Sequence, residues 1–65
     1  MTALPIWLIK NSEEYFSGFA PGGQISTVAR AEYALTFMSF GTAQQYAHEL
    51  GEITGERWEV CTGEG

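Results

Sequence analysis

Apolar residues crowd the first ten positions, thin out, return at helical spacing, and alternate near the end of the chain. "PIWLIKN" (5–11) is a run rich in β-forming residues, with Pro5 at its first position, where a missing N–H does least harm. It predicts a first strand with Leu4, Ile6 and Leu8 on one face and Trp7 and Ile9 on the other. A strand apolar on both faces is expected to have neighbours on both sides. "NSEE" then reads as a polar turn whose Asn and Ser hydrogen-bond local backbone. "EYFSGF" (14–19) follows as a second strand, closing a hairpin on the first.

Pro21-Gly22-Gly23 is a turn signal, because Pro fixes φ and Gly permits positive φ. Beyond it, "QISTV" is β-branched and reads either as a short strand of its own or as a lead into "YALTFMSF" (33–40). The latter has Tyr33, Leu35 and Phe37 at alternate positions and no Gly or Pro, so it is assigned to the third strand. Residues 20–33 are then one long Gly-containing loop. Ala43, Tyr46, Ala47, Leu50 and Ile53 recur at the spacing of one helical stripe. Its N-cap is Ser39 or Thr42, and its stop Gly51 or Gly55. "ERWEVCT" (56–62) alternates, with Trp58 and Val60 facing the helix and Arg57, Glu59 and Cys61 facing away. Residues 63–65 are expected to fray. The sum is an α+β fold in a single domain, 1–65: a small antiparallel sheet, β-β-β-α-β, with one helix packed on one face.

Composition sharpens this picture. A chain of 65 residues buries only about 60% of its unfolded surface, so its core must be dense. Four Phe, three Tyr and two Trp supply the bulk. Cys61 is the lone cysteine, which excludes a disulfide framework and suits a reducing compartment. The opening "MTALPIWLIK" lacks the basic region of a signal peptide, and no apolar run reaches the roughly 18 residues of a membrane span. A cytoplasmic protein with no membrane contact is expected. Eight Glu and no Asp oppose Lys10, Arg30 and Arg57, for a net charge of −5. No basic stripe forms, so direct nucleic-acid binding is not expected.

Candidate chemistry is sparse. One His and one Cys fall short of a zinc ligand set, no calcium-loop spacing appears, and the glycines fit no phosphate-binding motif. No metal or cofactor is expected. Helical phase places His48 on the solvent side, beside Gln44 and Glu52, whereas Cys61 points away from the helix; a catalytic dyad is therefore not expected. Glu13, Glu14, Glu49, Glu52 and Glu56 read as solvated charge rather than a catalytic pair. The chain is expected not to be an enzyme.

Binding is left. Trp58, Leu50, Tyr46, Phe37 and Leu8 suffice for the core, and the remaining rings exceed what one helix on one sheet requires. Trp7, Tyr15, Phe19, Pro21, Ile25 and Tyr33 are the candidate contact residues, because exposed rings beside glycine turns favour interfaces. The partner would be a protein, a second copy of this chain included. A rival expectation is that loop 20–33 folds over the second sheet face and seals these rings itself. "WLIKNSEEYFSGF", the A-x-x-F step from Ala34 to Phe37, "TAQQYAHELGE" and "RWEV" together resemble a pattern in small uncharacterised phage and prophage proteins. The run "APGGQISTVARAEY" is longer here than their usual connection. The resemblance implies a phage-encoded interaction module acting on a host or phage protein in the bacterial cytoplasm. The alternatives are an acidic decoy that mimics nucleic acid through Glu13, Glu14, Glu49, Glu52 and Glu56, and an orphan structural protein.

Overall fold

The computed structural model describes residues 6–63; the expectations for Leu4, Pro5 and the last two tail positions lie outside them. Asn11 builds the first turn. Its side-chain Oδ1 accepts from the N–H groups of Glu13 (2.8 Å) and Glu14 (2.6 Å), and its own N–H donates to the Glu14 carbonyl at 2.9 Å. The turn joins strand β1 (Trp7–Lys10) to β2 (Tyr15–Phe19). The Pro-Gly-Gly turn leads to β3 (Ile25–Val28), and β4 (Glu59–Thr62) comes last. All pairings are antiparallel in the order β3-β2-β1-β4. The small α+β fold expected from the sequence is present.

The third strand is corrected. Residues 33–40 were expected to form it, but "ISTV" does, and the later stretch plays a different part. β1 and β2 pair only at Lys10 and Tyr15, next to their turn. Toward the open end of this hairpin, Leu35 donates to the Phe16 carbonyl of β2 at 3.0 Å. Phe37 exchanges two backbone bonds with Trp7 of β1, at 2.7 and 2.9 Å. Residues 35–37 therefore fill the mouth between two diverging strands, with the Phe37 ring buried. Alternation signals an extended, half-buried backbone, and such a wedge satisfies it as well as a sheet strand does. Residues 20–33 are likewise more than a loop: they hold the turn, β3 and a 3-10 turn at Ala31–Tyr33.

Helix α1 (Phe40–Thr54) takes the longer of each pair of expected ends. Ser39 caps it by accepting from the Thr42 N–H, and Gly55 ends it in the left-handed region at φ +76°, which favours glycine. After that end, the Thr54 hydroxyl joins helix to strand. It donates to the Leu50 carbonyl and accepts from the Glu56 N–H and from Trp58 Nε1.

The core between helix and sheet comprises Ile9, Phe16, Phe37, Ala43, Ala47 and Leu50, with Trp7, Ile25, Trp58 and Val60 packed around it. Three expectations change. Leu8 is buried, but on the opposite face of β1, where Gly63 lies so close that a Cβ there would meet Leu8 Cγ at 2.8 Å. Gly63 also donates to the Ile6 carbonyl, extending the β4 ladder into what was expected to fray. Trp7, held back as a surplus ring, instead packs edge-on against Phe40 at 4.9 Å beside the core. Among the described residues no helix is long and apolar enough to cross a membrane.

Candidate functional site

Width decides what the helix covers. Four strands at about 4.8 Å spacing make a sheet nearly 20 Å across, and one helix is about 10 Å wide. One helix covers two strands. Here α1 packs on β1 and β4, and the helix-side face of β2 and β3 extends beyond it.

A bulge furnishes that uncovered half with apolar side chains. Phe16 and Phe19 are three residues apart, so plain alternation would send them to opposite faces. Between Phe16 and Gly18 the register shifts by one residue: Phe16 lies opposite Thr27, Gly18 opposite Ser26, and Phe19 opposite Ile25. Gly18 sits at φ +129°, in the region that L side chains rarely adopt. The shift returns Phe19 to the helix side, its ring 5.4 Å from Phe16 and 52% of its surface exposed. The flank of the helix adds Tyr46, 39% exposed, 5.1 Å from the Phe37 ring and 6.4 Å from Phe16; Ile53, 66% exposed, follows two turns on, toward the Asn11 end of the sheet. Phe16 lies beneath, fully buried. The result is an apolar ledge with β2 and β3 as its floor and one flank of α1 as its wall.

The ledge ends at a bare strand edge. Among the described residues β3 pairs with β2 alone, and from Gly22 to Ala29 the chain carries neither charge nor proline. Edge strands are usually blunted by such residues. At the other edge of the sheet, β4 carries Glu59, and Arg57 lies 3.7 Å from it. Beside β3, the Thr27 hydroxyl donates to the Glu14 carboxylate, which fixes a negative charge on the helix side of the sheet.

Three of the six expected contact residues meet here. Phe19 and Ile25 are cross-strand partners, and Pro21 lies in the turn joining their strands. The others are dispersed. Trp7 is at the far side of the helix start; Tyr33 is 63% exposed in the 3-10 turn. Tyr15 is on the opposite sheet face, in a groove of about 590 Å³ that Ile6, Leu8, Arg30, Glu32 and Thr36 also line. From the sequence, Tyr46 belongs to the core and Ile53 ends the apolar stripe; the width of one helix against that of the sheet is the signal that leaves both on an open flank.

His48 and Cys61 are on opposite sides of the sheet. His48 borders a hollow between α1 and β4 with Gln44, Trp58 and Glu59, whereas Cys61 pairs with Leu8 on the other face. Of the glutamates, Glu13 and Glu14 flank the first turn, and Glu56 reaches it by accepting from Asn11 Nδ2 at 3.4 Å. Lys10 and Arg57 stand at the same end of the molecule, around Asn11 and Ser12. Compared with known proteins, the chain matches no protein-family model, no curated protein and no solved structure.

Proposed function

We propose that this chain is a small non-enzymatic protein-binding module, encoded by a phage or prophage and acting on a host or phage protein in the bacterial cytoplasm. The observation that carries the reading is the ledge: Phe19, 52% exposed, pairs across strands with half-buried Ile25 beside the outer edge of β3, and Tyr46, 39% exposed, flanks Phe16 from the helix. Rigid aromatic groups on a formed surface bury much area at little entropic cost when a partner covers them. The acidic-decoy alternative finds less support, because Lys10 and Arg57 interrupt the glutamates of the first turn where a phosphate mimic would present negative charge alone.

The test is affinity capture from a bacterial lysate with the wild-type chain, Phe19→Ser and Tyr33→Ser. One protein is expected to be retained by the wild type and Tyr33→Ser and lost with Phe19→Ser. Retention by all three variants would show that the ledge is not the binding surface.

A further inference from the structure

Building on the binding-module reading, we propose that the partner docks as an added strand on β3, through an extended segment with an apolar residue and a Lys or Arg two positions apart. Backbone geometry supplies the first part. Phe16 gives its carbonyl to Leu35, on the side away from β3. In an antiparallel ladder, residues present their backbone groups alternately to the two sides, and directly opposed residues do so in concert. Thr27, opposite Phe16, therefore turns its N–H and C=O to the open edge. Gln24 points inward, its carbonyl accepting from the Ala20 N–H at 2.7 Å, so Ile25 points outward by the same alternation.

A strand laid along this edge bonds Ile25 and Thr27, in either direction. Its residues opposite these two stand on the helix side of the sheet, two positions apart. The residue beside Ile25 meets the apolar surface of Ile25 and Phe19. The residue beside Thr27 meets the Glu14 carboxylate that Thr27 holds in place. One site selects an apolar side chain and the other a cation, while the net charge of −5 draws a basic segment in from longer range. A second copy is a poor occupant: its β3 offers no cation to Glu14, and the two like-charged chains repel.

The test uses a Thr-rich synthetic peptide of about eight residues, long enough for one strand, with Val and Lys two apart. Controls are the same peptide with Glu for Lys, and the Lys peptide N-methylated along its backbone. Binding is followed by amide NMR of the intact chain. The Lys peptide is expected to bind about fivefold more tightly than the Glu peptide and to shift the Ile25 and Thr27 amides. Glu14→Gln, which keeps an acceptor for Thr27, is expected to erase that preference, and N-methylation to abolish binding. The proposal is overturned by equal affinity of the Lys and Glu peptides, by binding of the N-methylated form, by shifts confined to the Leu8–Tyr15 groove, by no binding at all, or by a dimer in light scattering. Should these fail while Phe19→Ser still abolishes capture from lysate, the strand-addition mode falls and the binding module stands. Should capture survive Phe19→Ser, the ledge is not the binding surface; should the wild-type chain capture nothing, the module reading itself falls.

Discussion

Gly18 and Thr54 show how much single residues decide here. Gly18 holds the bulge that returns Phe19 to the helix side. A side chain at its φ is strained whatever the space around it, so Gly18→Ala is expected to lower stability by about 1–3 kcal/mol, measured by urea unfolding. Thr54 satisfies three partners with one hydroxyl. Thr54→Val keeps the shape, deletes those bonds and leaves the Trp58 indole N–H without its acceptor; a loss of about 1–3 kcal/mol is expected, with a change in Trp58 fluorescence. Both residues were present in the sequence, yet their roles were not legible there. A bulge is a relation between two strands, and a capping hydroxyl that reaches Trp58 depends on how the chain turns after the helix.

At the scale of elements, legibility followed locality. The helix was readable and each of its ends narrowed to two candidates, Ser39 or Thr42 and Gly51 or Gly55, because caps act within a turn of the residues they serve; the structure selects Ser39 and Gly55. β1 was readable from its compact run of β-forming residues, β2 from the polar turn that makes it a hairpin partner, and β4 from alternation. The third strand was misplaced because "YALTFMSF" carries the same period and more hydrophobicity than "ISTV", and only long-range pairing distinguishes a wedge from a strand. The wedge makes a sharp prediction. Phe37 is buried between β1, β2 and Tyr46, so Phe37→Ala is expected to cost about 3–5 kcal/mol. That rivals the whole stability of a domain this small, about 3–10 kcal/mol at 0.05–0.15 kcal/mol per residue. Circular dichroism of Phe37→Ala should therefore show a largely unfolded chain at room temperature, whereas Leu35→Ala, half-exposed beside it, should remain folded.

At the scale of the molecule, the surplus of rings was visible in composition, but not where it would lie. Sequence placed Trp7, Tyr15 and Tyr33 with Phe19 as one contact set; the fold disperses these rings, and Tyr46 rather than they lies with Phe19 around Phe16. The cause is geometric: one helix spans two strands, and which two depends on the order β3-β2-β1-β4, set by non-local pairing. Burying Phe19 and Ile25 would need a second helix or a partner, and an uncharged, proline-free β3 leaves the neighbouring backbone free to bond one.

Residue-resolved amide hydrogen exchange on the isolated chain reads that edge directly. The N–H groups of Ser26 and Val28 should exchange slowly, turned toward β2, while those of Ile25 and Thr27 should exchange at nearly the rate of open backbone. Protection of all four in the free protein would mean that the edge of β3 is already covered, and the binding surface inferred from it would not exist.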